Sequence, residues 1–228
     1  MTRLPALRLP GLAAVAAILT LAACNQAEAP AAPAATETAA APAAAPGQPQ
    51  TAPAFTLVDS EGVERSLADF RGKTVVLEWT NEGCPYVQKH YSTGAMQALQ
   101  TEAVADGVVW LTIISSEPGA QGHVEGDEAR AWKSRNKAGS SHLLLDPTGE
   151  VGKRFGAITT PDMRVIDAEG RILFTGGIDD RPTNKVEDLE GANNFVRAAL
   201  TDIEAGQPVQ TAFAKPYGCS IKYAGEAA

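Results

Sequence analysis

Cysteine is scarce in this chain of 228 residues, which contains only Cys24, Cys84 and Cys219. That is too few for a disulfide-framework protein, and the position three after Cys84 is Val87, so the local C-x-x-C dithiol is absent. Basic charge is also in deficit: 19 Lys and Arg face 27 Asp and Glu, for a formal charge of −8. No basic patch is available to neutralise phosphates, so nucleic acid is not an expected partner. Long apolar runs are missing as well. The uncharged run from Gly11 to Ala23 falls short of the roughly twenty residues that a membrane-spanning helix needs.

What the first fifty residues do contain is the layout of an export signal: Arg3 and Arg8, then the uncharged run, then the small residues Ala22 and Ala23. Leu21-Ala22-Ala23-Cys24 resembles the lipobox of bacterial lipoproteins. The resemblance implies that residues 1–23 are removed and that Cys24 is acylated as a lipid anchor on the periplasmic side of the cell envelope. Asn25 in place of Asp then favours the outer membrane. Residues 24–53 are mostly Ala and Pro and offer no side chains for a core, which predicts an extended, disordered linker. If Cys24 is an anchor, Cys84 and Cys219 are the only thiols left in an oxidising compartment, where two such thiols can pair.

The folded part is organised around Glu78 to Tyr91. The β-branched, apolar stretch from Thr74 reads as a buried strand that ends near Thr80, and residues from Tyr86 to about Ala105 read as one long helix. Pro85 suits a first helical turn, which puts Cys84 at a helix N-terminus, where unpaired N–H groups and the helix dipole favour thiolate. Other strands are expected at 54–58, 107–115, 142–145, 163–167 and 171–175, the last two as a hairpin. Ser66 should cap a short turn through Phe70. Helices are expected at 127–137, 149–155 and 192–205. Residues 206–228 read as an irregular tail carrying Cys219. A β-α-β-α-β unit followed by β-β-α implies an α/β fold with a mixed sheet.

W-T-N-E-G-C-P at a strand end, T-T-P before the hairpin and V-I-D-A-E-G-R-I across it are similar to the thioredoxin-like fold. More specifically, F-T-L-V-D-S-E-G, S-L-A-D-F-R-G-K, C-P-Y-V-Q-K-H-Y and Y-G-C-S-I-K-Y resemble the redoxin family, the peroxiredoxin-like branch of the alkyl hydroperoxide reductase and thiol-specific antioxidant superfamily. The resemblance covers residue 54 to about 223. It implies a central mixed sheet flanked by helices, a domain at 54–205, a cis Pro161 facing Cys84, and no cofactor. Thr80, Asn81, Pro85, Thr160 and Pro161 are then the residues that support the active cysteine. Two departures matter. Thioredoxins have a second cysteine where Val87 stands. Peroxiredoxins have Thr or Ser where Asn81 stands and Pro where Leu77 stands, and they have an arginine in the stretch that Pro161 occupies.

The leading expectation is therefore a thiol-disulfide oxidoreductase in which Cys84 attacks and Cys219 resolves, working on a protein or small-molecule disulfide and reset by a thiol reductant. Two alternatives stay open: a thiol-dependent peroxidase on the same fold, and a non-catalytic binding lipoprotein pinned by a structural 84–219 disulfide. A metal site is not expected, since Val87 and Gln88 stand where a local copper site would need sulfur. Lys89 reads as a solvated lysine on the outer helix face, His90 as a partly buried or surface histidine, and Glu82 as a group that could relay protons or disfavour the thiolate. Trp79 and Trp110 read as core. Asp179-Asp180-Arg181 reads first as a turn with local hydrogen bonds and otherwise as a group that could bind a cation or order the tail, and the loop 117–126, with His123, reads as exposed.

Overall fold

The structure is a computed structural model that describes residues 49–225. The expected signal segment, Cys24 and nearly all of the expected linker lie outside the described residues. In chain order the strands are β1 (Gln50–Thr51), β2 (Thr56–Asp59), β3 (Glu64–Ser66), β4 (Val75–Trp79), β5 (Val109–Ile114), β6 (His142–Leu145), β7 (Thr159–Thr160), β8 (Asp162–Ile166), β9 (Arg171–Gly176), β10 (Phe213–Ala214) and β11 (Cys219–Ser220). The helices are α1 (Pro85–Ser92), α2 (Ala95–Ala105), α3 (Gly126–Arg135), α4 (Glu150–Arg154) and α5 (Phe195–Glu204). The main sheet runs β1-β9-β8-β4-β5-β6-β2-β3 with β10 beside β9, and β7 pairs with β11 apart from it. This is the thioredoxin-like arrangement: parallel β4, β5 and β6 precede the antiparallel β8-β9 hairpin.

Both faces of the central strands are covered, which is why β4 and β5 carry almost no polar residues. Side chains alternate across a strand, so Val75, Leu77 and Trp79 join Val109, Leu111 and Ile113 in one core. Val76, Trp110 and Ile114 point the other way, into a core shared with Val87 and Tyr91 of α1, Met96 and Leu99 of α2, Trp132 of α3 and Val196 of α5. Trp79 and Trp110 are core residues, as expected.

Glu78 breaks this pattern. It lies on the α1-α2 side of β4, fully buried, and accepts hydrogen bonds from Tyr91 Oη (2.8 Å), Gln100 Nε2 (2.8 Å), Trp110 Nε1 (2.8 Å) and Thr112 Oγ1 (3.3 Å). Burial pushes its carboxyl up, and the four donors oppose that shift. Glu78 to Ala should leave several buried donors without an acceptor and cost about 3 kcal/mol or more. Urea unfolding checks this, and a loss under about 1 kcal/mol would contradict it.

Several sequence expectations are corrected. The long helix after Cys84 is two helices, because Thr93 and Gly94 break it and Gly94 adopts φ +79°, a left-handed conformation that glycine tolerates. The linker expectation ends too late: Gln50–Thr51 pairs with β9, and Ala52 is buried. The tail is irregular for most of its length but carries two short strands. Phe213–Ala214 extends the main sheet beside β9, Cys219–Ser220 pairs with Thr159–Thr160, and Ile221 and Tyr223 are buried in the core of Trp79 and Phe155. Lys89 is buried rather than solvated, and His90 is fully buried rather than partly so or at the surface, each 2% exposed.

Candidate active site

The local sequence places Cys84 by two devices. Asn81 turns the chain at the end of β4, its Oδ1 accepting from Gly83 N (2.9 Å) and its carbonyl from Cys84 N (3.0 Å). Pro85 then opens α1, with Cys84 as the N-cap residue in extended conformation. Cys84 is a thiol with no exposed surface, and its Sγ donates to the Thr160 carbonyl at 3.1 Å. The Thr160–Pro161 peptide bond is cis, as the resemblance implied.

The tail delivers the second thiol to the same place. In the β7-β11 pairing Cys219 stands opposite Thr160, whose carbonyl receives the Cys84 thiol. Gly218 allows this approach: it adopts φ +139°, and a Cβ there would collide with the Thr160 backbone. Cys219 is half-buried and also free.

Their surroundings push the two thiols apart in acidity. Burial raises Cys84, but donors outweigh it: the Cys219 thiol, the Thr160 side chain and the backbone N–H groups of Val87 and Cys219 all favour the thiolate. Cys84 therefore lies below the ordinary cysteine value. Cys219 is pushed up to about 12, first by burial and then by the Cys84 sulfur beside it. One thiol is the better nucleophile at rest, and the other holds its proton.

The remaining expected site residues divide. Thr80 and Thr160 are buried, and neither hydroxyl hydrogen-bonds to an oxygen or nitrogen. The Asn81 amide is engaged elsewhere, its Nδ2 donating to Gln121 Oε1 at 2.8 Å. Through that bond the 117–126 loop closes on the Asn81 turn. Glu82 pairs with Arg135 at 3.0 Å and makes no contact with Cys84 in these hydrogen bonds. Arg164 is buried, and its guanidinium is committed to Asp162 Oδ1 (2.5 Å) and the Met163 and Phe155 carbonyls. Asp179 orders the tail: Tyr217 Oη donates to its Oδ1 at 2.5 Å. Sequence reasoning missed the depth of Lys89, His90 and Glu78. Only Glu78 left a signal, an acidic residue inside an otherwise apolar strand.

A cysteine at the first turn of a helix, a cis-proline loop against it and a thioredoxin-like sheet behind it define a thiol protein of the thioredoxin-like class. Residues 46–192 match the Redoxin family, and the chain belongs to it. Among solved structures, the hypothetical protein SMc02350 from Sinorhizobium meliloti 1021 is similar at a TM-score of 0.66 and 26% identity, covering 78% of this chain and 95% of that one. An uncharacterized conserved protein from Geobacillus kaustophilus is similar at 0.65 and 25%, covering 78% and 93%. A putative thiol:disulfide interchange protein DsbE from Chlorobium tepidum aligns at 0.45 and 20%, covering 56% and 82%. No curated protein matches the chain.

Proposed function

We propose that the protein is a thiol-disulfide oxidoreductase in which Cys84 is the nucleophile and Cys219 the resolving thiol. The observation that carries this reading is the register of β11 on β7, which sets the Cys219 thiol and N–H against the Cys84 sulfur. In the first step the Cys84 thiolate attacks one sulfur of a substrate disulfide, and the other sulfur leaves as a thiolate and takes up a proton. In the second, Cys219 loses its proton and attacks Cys84 Sγ, expelling the bound substrate sulfur, which takes up that proton. Two electrons pass to the substrate and the Cys84–Cys219 disulfide remains. An external dithiol resets it.

Formation of the mixed disulfide also eases the acidity problem. Cys219 is a poor nucleophile while the Cys84 thiolate lies beside it, because burial, its hydrogen bond to that sulfur and the repulsion of two negative sulfurs all hold its proton. Once Cys84 is part of a mixed disulfide its charge is gone, and so is the part of the Cys219 shift that came from it. Attack by Cys219 becomes easier only after Cys84 has reacted.

Location rests on Leu21-Ala22-Ala23-Cys24, which supports a lipid anchor at the periplasmic side of the envelope. The peroxidase alternative has less support. Thr80 has a free hydroxyl, but Asn81 and Arg164 direct their polar groups elsewhere.

The deciding experiment mixes reduced full-length protein with oxidised glutathione or with hydrogen peroxide and follows Cys84–Cys219 bond formation by mass spectrometry. A transient glutathione adduct on Cys84, followed by the internal bond, is expected. Rapid oxidation by peroxide with no reaction toward disulfides would replace this reading with the peroxidase. A bond that forms but exchanges with no thiol, and whose potential lies below about −300 mV, would make it a structural staple.

A further inference from the structure

The tail is anchored on both sides of Cys219, and the two anchors differ in kind. Downstream the anchor is apolar: Ile221 is buried and its N–H donates to the Ile158 carbonyl at 3.1 Å, while the buried Tyr223 donates its Oη to the Ala157 carbonyl at 2.8 Å. Upstream, between the β10 pairing on β9 and Cys219, it is ionic. Tyr217 reaches Asp179, itself 4% exposed, and Lys89 Nζ stands 3.5 Å from the other Asp179 oxygen and 5.6 Å from the centre of the Tyr217 ring. Lys89 also donates to the Arg181 carbonyl at 2.8 Å, and Tyr86 packs edge-on against Tyr217 at 5.9 Å between centroids. Tyr86 and Lys89 belong to α1, the helix that Cys84 caps.

We propose that the Tyr217–Asp179–Lys89 cluster is the latch that positions Cys219, fixing both how often the resolving thiol lies over Cys84 and how often Cys84 is uncovered. The inference rests on the working thiol pair proposed above. Its physical basis is the complete burial of Cys84 under a tail that must also return to finish the reaction. An incoming disulfide cannot reach a sulfur with no exposed surface, so the tail has to lift. For resolution, Cys219 has to come back at high effective concentration.

The upstream anchor suits such movement. Asp179 Oδ2 and His90 Nε2 are buried without a hydrogen bond, 3.7 Å apart, so the cluster is under-satisfied where an apolar plug of the same volume would not be. Its hydrogen bond to the tail is the Tyr217 phenol on Asp179, beside the ring contacts of Lys89 and Tyr86. Tyr217 is thus a positioning residue that acts through Cys219 and touches neither reacting sulfur in that bond.

Tyr217 to Phe in the full-length protein tests this, because it keeps the ring contacts and removes only the hydrogen bond. Two quantities are read: the equilibrium constant for Cys84–Cys219 bond formation in dithiothreitol redox buffers, and the rate at which iodoacetamide alkylates Cys84 in the reduced protein. Loss of a hydrogen bond to a charged group should weaken tail closure about tenfold, and the fall in the first quantity times the rise in the second equals that factor; with Cys84 fully covered at rest, most of it falls on the second, an alkylation rate about tenfold faster. A purely structural tyrosine would move neither while the variant stays folded. If wild type forms the disulfide and both quantities in the variant stay within about twofold of wild type, the latch is wrong and the thiol pair stands. If wild type forms no such disulfide at any buffer ratio, the thiol-pair reading falls and the latch with it. Should the variant not fold, the urea dependence of Cys84 alkylation in wild type answers the same question. Opening at the latch gives a slope much smaller than global unfolding, and an equal slope overturns the proposal.

Discussion

Replacing Cys219 with serine is expected to leave a protein that attacks a disulfide once and then stops. Cys84 keeps its helix N-terminus, its Thr160 partner and the backbone N–H of residue 219, and the serine hydroxyl can replace the lost thiol donor. The first step should therefore survive. The second cannot, because no other thiol is near: among the described residues Cys84 and Cys219 are the only cysteines. A mixed disulfide on Cys84 should accumulate to about one per chain, visible as a stable mass increment. Turnover then depends on an outside thiol. A tethered thiol acts at millimolar effective concentration or above, so with external thiol near 10 μM the loss should be roughly a hundredfold or more. Cys84 to Ser should remove even the first step. Cys219 to Ala adds a check on the electrostatics, since alanine brings no donor: its Cys84 alkylation profile should shift to higher pH than that of the serine variant. Undiminished turnover in the serine variant would show that Cys219 does not resolve the reaction, and the tail would then be a cover only.

The part of the site that was legible in the sequence is the part built from neighbours in the chain. Cys84-Pro85 at a strand-to-helix junction, Thr160-Pro161 before a hairpin and the alternating cores of β4 and β5 depend on local geometry and on side-chain patterning, and they appear where they were expected. The tail was legible only in its cysteine. Strands of two residues such as β7, β10 and β11 have no periodicity to detect, and they exist because another strand is brought beside them. Gly218 held the hint, as a residue without a Cβ next to the thiol, but it had no meaning until the Thr160 carbonyl was known to lie against it. Lys89 and His90 misled for a similar reason. Lysine on a short helix is ordinarily solvated, and what buries this one is a carboxylate ninety residues away on the loop after β9, together with a tyrosine from the tail. Asp179-Asp180-Arg181 reads from sequence first as a turn with local hydrogen bonds, and Arg181 N does donate to Asp179 Oδ1, but the same oxygen also takes the Tyr217 phenol from the tail.

That same cluster makes the fold sensitive to acid. His90 lies against Asp179 and Lys89, with Tyr217 and Arg181 on the far side of the carboxylate. Burial, opposed by Asp179 and assisted by Lys89, lowers His90 to about 4. An unfolded histidine titrates near 6.5, so above that pH His90 is neutral in both states and its contribution to stability is fully present. Between pH 6.5 and 4 the unfolded chain takes up a proton that the folded one refuses. Stability is lost across that window, by on the order of 3 kcal/mol from this residue. His142, which burial also lowers, and Asp59, which Arg65 and the Val63 and Glu61 N–H groups hold down against burial, contribute losses of the same sign, so total slope alone does not isolate His90. The comparison is with His90 to Gln, which leaves those groups in place: its unfolding free energy should fall less steeply from pH 6.5 to 4 than that of wild type. Parallel slopes would show that His90 gains its proton without cost in the folded state. A proton forced onto His90 would add a second cation beside Lys89 and draw Asp179 away from Tyr217, so acid should loosen the tail at its upstream anchor before it unfolds the sheet.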